Sequence, residues 1–224
     1  EEISQASIIE NYVSIGEGTT LTSVTAEVAM DKGANLDWYT IQREATTAYH
    51  VGELASYQKE DSTFRAHVFT FGGAITRNDV LAKLDGENAE GIINGLTLLS
   101  GTQHADNWMW VEHMKENIPS HELFKNVLAD SASAAFTGRI YVHQEAQKTD
   151  AKQTAQSLLL SENARSHSRP QLEIYADDVK CTHGSTTGQL DRPSLFYLRS
   201  RGIPEREAKN LLVKAFAADI TERI

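Results

Sequence analysis

The stretch Arg169–Arg201 reads RPQLEIYADDVKCTHGSTTGQLDRPSLFYLRSR and changes from a β-type pattern to a helical one after Gly188. It contains the only cysteine of the chain, Cys181, two residues before His183, and Gly184 follows. On an extended strand, residues two apart point to the same face because successive side chains alternate. Cysteine and histidine are both good ligands for soft or borderline metals. The stretch therefore joins a candidate metal-binding pair to a candidate docking element.

Two helices are predicted at the C-terminal end. Asp191 is a good N-cap, Pro193 suits a first helical turn and Gly202 suits a C-cap, so the first helix is expected over Pro193–Arg201. Pro204 opens the second helix. Its apolar residues follow the i, i+3, i+4, i+7, i+8 spacing of an amphipathic helix: Ala208, Leu211, Leu212, Ala215 and Phe216. Such a hairpin either caps the open end of a β body or docks into a partner's groove, and the pattern leaves both possibilities open.

Upstream of this stretch, the chain is a succession of short β-type runs separated by polar or glycine turns. In one of them Phe64, Ala66 and Val68 alternate with Arg65 and His67, which is the period of a half-buried strand. Short strands at regular spacing fit a sandwich, a barrel or a β-solenoid. The sequence shows no exact repeat of about 20 to 50 residues that would favour one of these folds. The runs are LTSVTAEV, LDWYTIQ, AYHVGELASY, TFRAHVFTF, GIINGLTLLS, WMWVEHM, ELFKNVLA, GRIYVH and QLEIYA.

Two segments give weaker signals. The first 18 residues are polar and punctuated by glycine, and they predict an edge segment or the entry to a strand. The segment DAKQTAQSLLLSENA, which begins at Asp150, is ambiguous between helix and strand. Because the sequence begins with Glu1 and not with Met, we expect a piece of a longer polypeptide.

Composition favours a globular protein with a substantial core. The chain has 224 residues, of which 40% are hydrophobic. Its formal net charge of -10 argues against nucleic acid as a partner, since such binding depends on Lys and Arg neutralising phosphates. No run approaches the roughly 20 apolar residues that span a bilayer, and the N-terminus lacks the features of a signal peptide. One cysteine excludes an internal disulfide. We therefore expect a cytoplasmic protein without nucleic-acid or membrane partners.

The usual signatures of catalysis are missing. The sequence has no GxxxxGK[ST], HExxH, CxxC or GxSxG motif. One alternative is a β-solenoid carbohydrate-active enzyme that uses Asp177 and Asp178, but adjacent carboxylates on a strand point to opposite faces. Another is a purely structural adaptor in which Cys181 and His183 are incidental. A buried cysteine is commonly a small hydrophobe, and two ligands make only half of a tetrahedral site.

The C-terminal half also carries a family resemblance. The stretch ENARSHSRPQLEIYADDVKCTHGSTTGQLD, followed by LFYLRSRGIP and then AFAADI, resembles the C-terminal signature of the SufD family of the SUF iron-sulfur cluster assembly machinery. The resemblance covers the chain from about Leu36 to the C-terminus. The sister family, SufB, shares the LFYL and RGI region but lacks ADDVKCTHG, so SufD is preferred.

The resemblance implies a fold and a set of partners. The fold would be mainly β, a right-handed parallel β-helix core domain over residues 1–190, with a short α-helical hairpin over residues 191–224 that binds the ATPase SufC. The chain would be a scaffold and not an enzyme, pairing with SufB through the β-helices. In isolation the same edge would suit a homodimer, because the two subunits are similar in kind. SufC binding is implied for Leu195, Phe196, Tyr197, Leu198, Arg199, Ile203, Leu211, Leu212 and Phe216.

The family's cluster-associated Cys-x-His-Gly pattern falls on Cys181, His183 and Gly184. Iron-sulfur clusters are normally held by several thiolates, sometimes with histidine replacing cysteine, and this chain has one cysteine. We therefore expect no cofactor stably bound by this chain alone. Transient iron or a nascent cluster would be shared with SufB, with His183 as the principal ligand from this chain and Cys181 as the second.

Overall fold

The computed structural model describes residues 1–16 and 18–223. In this part of the chain, thirteen strands are followed by two helices. The strands are Gln5–Val13 (β1), Leu21–Met30 (β2), Asn35–Arg43 (β3), Tyr49–Gln58 (β4), Thr63–Thr70 (β5), Ile75–Leu84 (β6), Glu90–Leu99 (β7), His104–His113 (β8), Pro119–Leu128 (β9), Ser133–Val142 (β10), Asp150–Leu159 (β11), Arg165–Ile174 (β12) and Lys180–Gln189 (β13). The helices are Arg192–Ser200 (α1) and Glu205–Thr221 (α2).

The strands wind into a parallel β-solenoid, which confirms the predicted β-helix. Odd-numbered strands form one sheet in the order β1-β3-β5-β7-β9-β11-β13, called sheet A below. Even-numbered strands form the other sheet, in the order β2-β4-β6-β8-β10-β12, called sheet B. All the strand pairs in both sheets are parallel. Each coil therefore contributes one strand to each sheet and stacks on the coil before it.

The coils differ in length, which hides the repeat in the sequence. Tyr49 pairs with Ile75, 26 residues further on, whereas Ser133 pairs with Arg165, 32 residues further on. The turns between strands absorb the difference. A search for a fixed period therefore finds none, although the stacking is regular.

Strand alternation places one face of every strand inside the solenoid. The largest fully buried side chains on these inward faces include Phe64, Ile93, Met109 and Phe136. Phe124 packs against Phe136 with ring centroids 4.6 Å apart. The core is thus a continuous lumen filled by side chains from both sheets.

All nine predicted runs coincide with or overlap strands, and three further strands lie where the sequence shows no strand signal or an uncertain one. β6 was not predicted, because its inward positions Thr76 and Asn78 are polar and buried. The ambiguous segment after Asp150 is strand β11, and the uncertain N-terminal segment contains β1.

The helix signals are confirmed, with α1 beginning and ending one residue before the predicted Pro193–Arg201. The carboxylate of Asp191 accepts a hydrogen bond from the Ser194 backbone N–H at 2.8 Å, which caps α1. Gly202 has φ +86°, the left-handed conformation expected just after a helix end. Neither helix in the described ranges combines the length and the apolar character that crossing a membrane requires.

Close stacking of the coils leaves no room for side chains at two turn glycines. A Cβ on Gly86 would lie 1.9 Å from the backbone N of Glu60, and one on Gly72 would lie 2.1 Å from the backbone O of Glu44. These neighbours are backbone atoms of the preceding coil, so they cannot rotate away. The turns can therefore stack only because glycine occupies these positions.

We predict that Gly86→Ala lowers the free energy of unfolding by roughly 1–3 kcal/mol or more, because the methyl group forces two coils apart. Gly188→Ala is the matched control, since a Cβ there meets nothing within 4 Å. The control should change stability by no more than about 0.5 kcal/mol. Urea unfolding followed by circular dichroism measures both values, and equal stability of the two variants would contradict the stacking argument.

Candidate functional site

The candidate site lies on β13, the last strand of sheet A. β13 pairs with β11 on one side, and no strand in the described residues pairs with its other side. Its sequence, KCTHGSTTGQ, is polar on both faces, and most of its residues are exposed. A polar strand suits this position because neither face is fully covered. The open end of the solenoid is therefore hydrophilic.

Cys181 and His183 lie on the same face of β13, as the sequence predicted. In the ladder Cys181 pairs with Ala151 and His183 pairs with Gln153, and both partners point into the lumen. Cys181 is half-buried and packs against a cluster that includes Ile140. His183 is exposed at the mouth of the lumen.

The surroundings of Cys181 favour the neutral thiol. Burial raises the pKa of Cys181, the backbone N–H of Ala151 opposes this, and the nearby carboxylates of Asp150 and Glu122 add to the rise. A thiolate at this position therefore needs a compensating positive charge, such as a bound metal ion.

The described residues contain no preformed site with three His, Cys, Asp or Glu ligands. The structure thus brings the predicted pair together but adds no third ligand of these types beside it. The role of Cys181 and His183 in binding iron stays a prediction.

Two interior residues near this pair were missed by the sequence analysis. Glu122 of β9 pairs with Gln153 of β11, which in turn pairs with His183. Glu122 is 2% exposed and burial raises its pKa to about 8, although the nearby Ser120 hydroxyl partly opposes that rise. The alternation in ELFKNVLA was the available signal, because it places Glu122 on the same face as Phe124.

The carboxylate pair considered for an enzyme lies elsewhere. Asp177 and Asp178 are in the turn between β12 and β13 and not on a strand, which corrects the sequence argument. Asp178 is exposed and forms an ion pair with Lys148.

The hairpin of α1 and α2 is anchored on the body through α2. Ile220 is fully buried against Phe69, Leu96 and Leu123 on the outer face of sheet A, and Ala217 packs beside them. The hairpin is therefore attached to the side of the solenoid and does not cap its open end.

A buried lysine strengthens this attachment. Lys125 of β9 is 2% exposed, and its Nζ donates hydrogen bonds to the Phe216 carbonyl at 2.8 Å and to Asp219 Oδ2 at 2.5 Å. The same Nζ lies 4.5 Å from the centroid of the Phe216 ring. Phe216, which was predicted to bind a partner, thus also contacts the body of its own chain.

The rest of the hairpin presents apolar side chains to solvent. Phe196 is 75% exposed, Tyr197 56% and Leu211 47%. Phe196 and Tyr197 border a groove of about 590 Å³ lined by Pro193, Ser194, Phe196, Tyr197, Leu198, Ser200 and Leu212. Of the other predicted partner residues, Leu195 and Ile203 are half-buried, and Arg199 lies 3.4 Å from Glu205 in an ion pair.

Comparison with known proteins identifies the family. The domain described as SUF system FeS cluster assembly, SufBD core domain, matches residues 1–216. The chain belongs to the SufBD family. It is 37% identical to the iron-sulfur cluster assembly protein SufD of Escherichia coli over 223 residues, which cover the whole chain and 53% of that protein. The family resemblance noted in the sequence is thereby confirmed.

Other SufBD relatives match the chain in the same way. An iron-sulfur cluster assembly SufBD family protein of Synechocystis is 31% identical over the whole chain and 51% of its own length. SufD of Bacillus subtilis is 27% identical over the whole chain and 52% of its own length. The chain thus spans about half the length of these relatives.

We predict that Lys125→Met loosens α2 from sheet A in this SufBD-family chain. The Phe216 carbonyl and Asp219 lose a charged donor, which should cost roughly 1–3 kcal/mol of local stability. Hydrogen exchange of the α2 amides measures the effect as faster exchange over Glu205–Thr221. Lys83→Met, which removes an exposed lysine from β6 of sheet B, is the control and should leave α2 unchanged. Unchanged exchange in Lys125→Met would show that the apolar contacts alone hold the helix.

Proposed function

We propose that this chain acts as a non-catalytic scaffold in iron-sulfur cluster assembly, pairing with SufB and carrying the ATPase SufC in the cytoplasm. It supports iron acquisition and nascent cluster assembly at the SufB interface. The observation that carries this proposal is the position of Cys181 and His183 on the inward face of the terminal strand β13. Side chains at that position are accessible to a neighbouring subunit that binds the open end of the solenoid.

The pairing with SufB is supported by the two free strand edges at this end. β12 and β13 each pair on one side only within the described residues. Their unpaired N–H and C=O groups form a template on which the strands of another β-helix add. The ligand shell of a cluster held here is then completed from the partner, because this chain supplies one cysteine.

The binding of SufC is supported by the exposed groove of the hairpin. An apolar surface that includes Phe196, Tyr197 and Leu211 is costly to leave in water, and aromatic side chains are frequent anchors of protein interfaces. Since α2 is fastened to β9 through Lys125, a force applied to the hairpin reaches sheet A directly. β9 is separated from β13 by a single strand, β11.

We predict that His183→Ala in the full-length protein, assembled with SufB and SufC, lowers iron and cluster content while SufC remains bound. The mutation removes the exposed imidazole at the mouth of the lumen and leaves the hairpin intact. Ultraviolet-visible spectra and iron analysis after anaerobic reconstitution measure the loss. His167→Ala is the control, because His167 is exposed on β12 at the same end but on the outward face. Wild-type cluster content in His183→Ala would rule out this role and favour a purely structural adaptor.

We predict that Phe196→Ser combined with Leu198→Ser abolishes co-purification of SufC. The two changes remove an exposed anchor and a lining residue of the groove, and they leave the solenoid folded because neither side chain is part of its core. Ile75→Ser, which removes an exposed apolar side chain from sheet B, is the matched control and should retain SufC. Retention of SufC by the double variant would refute the assignment of the docking surface.

A further inference from the structure

Two buried polar side chains without partners lie in the lumen beneath the candidate site. Glu122 of β9, Gln153 of β11 and His183 of β13 occupy the same register position on three adjacent strands. All three are on inward faces, so their side chains form one row that leads from the mouth into the solenoid.

Neither interior member of this row has its hydrogen bonds satisfied. Glu122 is 2% exposed and Gln153 is 1% exposed. Within the described residues, both carboxyl oxygens of Glu122 and both polar atoms of the Gln153 amide lack a hydrogen bond of normal geometry, although the Ser120 hydroxyl lies close to the carboxyl group. Buried polar groups are nearly always hydrogen-bonded, and buried charges are paired or bind metals. Four unsatisfied atoms on neighbouring side chains therefore point to a missing ligand.

Gly138 on the opposite sheet leaves room for the Gln153 side chain of this row. A Cβ on Gly138 of β10 would lie 2.3 Å from Gln153 Nε2, so the amide reaches across the lumen to the opposite sheet. A larger residue than glycine at position 138 would displace it. At the mouth, Cys181 lies on the same face of β13 as His183, two residues before it. The row is thus continuous with the Cys181–His183 pair.

We propose that Glu122 and Gln153 form an inner binding layer for a divalent cation, one step inside the mouth at which Cys181 and His183 lie. Carboxylate and amide oxygens are suitable ligands for divalent cations, and the imidazole of His183 is the next donor along this row of paired strand positions. Binding of a cation satisfies the orphaned oxygens that the protein alone leaves unpaired. The identification of the physiological cation as ferrous iron, the substrate of assembly, rests on the proposed function. The binding of a divalent cation itself does not depend on that function.

Anaerobic titration of the metal-free full-length protein with Co²⁺, followed by its visible absorption, tests the inner layer. We expect Glu122→Gln, which keeps the shape but removes the carboxyl group that can ionise when the cation binds, to weaken Co²⁺ binding by about 10- to 100-fold. Glu116→Gln is the matched control, since Glu116 is exposed in the turn before β9. Equal affinity of Glu122→Gln and the control would overturn the proposal. Gln153→Met is a second variant and should also weaken Co²⁺ binding.

A further variant separates this site from the mouth. The double substitution Cys181→Ser and His183→Ala removes both outer ligands but leaves Glu122 and Gln153, so Co²⁺ should still bind. Loss of all binding in the double variant, with retention in Glu122→Gln, would place the cation at the mouth and overturn the inner layer. That result would leave the proposed cluster role of His183 standing, so the two hypotheses fail independently.

Discussion

Backbone hydrogen bonding between stacked coils is the constraint on which the rest of this structure depends. Each coil satisfies its N–H and C=O groups with the coil on either side, and the parallel register keeps inward residues inward along the whole stack. Within the part of the chain that the structure describes, the last coil has a neighbour on one side only. Its strands β12 and β13 keep free edges, and the lumen behind them opens through a polar mouth. Cys181 and His183 lie at that mouth, where we propose that a partner subunit binds.

The same sheet joins the mouth to the hairpin. α2 is held on the outer face of sheet A by Ile220 and by Lys125, while the opposite face of that sheet carries Glu122, Gln153 and His183. One packed sheet thus has the hairpin, the proposed docking element, on one side and the candidate ligands on the other. A partner that pulls on the hairpin acts on the strands that position the ligands, because packed sheets transmit displacement instead of absorbing it.

Local patterns predicted much of this arrangement, and long-range register accounts for what they missed. Alternation placed Cys181 and His183 on one face, and Asp191 and Gly202 marked the ends of α1, because these signals act within a few residues. β6 was not predicted because its inward residues Thr76 and Asn78 are polar and interrupt the apolar alternation. Their burial is possible because other residues satisfy their hydrogen bonds, for example Asn107, whose Oδ1 accepts from Asn78 Nδ2 at 2.9 Å. The row that ends at His183 could not be predicted from the sequence, because coils of unequal length conceal which residues stack.

The central claim is that the free edge of β13 is the surface that meets SufB, with the candidate ligands behind it. Hydrogen-deuterium exchange of the full-length protein, alone and in complex with SufB, tests it most directly. The account predicts slower exchange of the β13 amides over Lys180–Gln189 in the complex, while β6 in the middle of sheet B is unchanged. Equal exchange of β13 with and without SufB would contradict it.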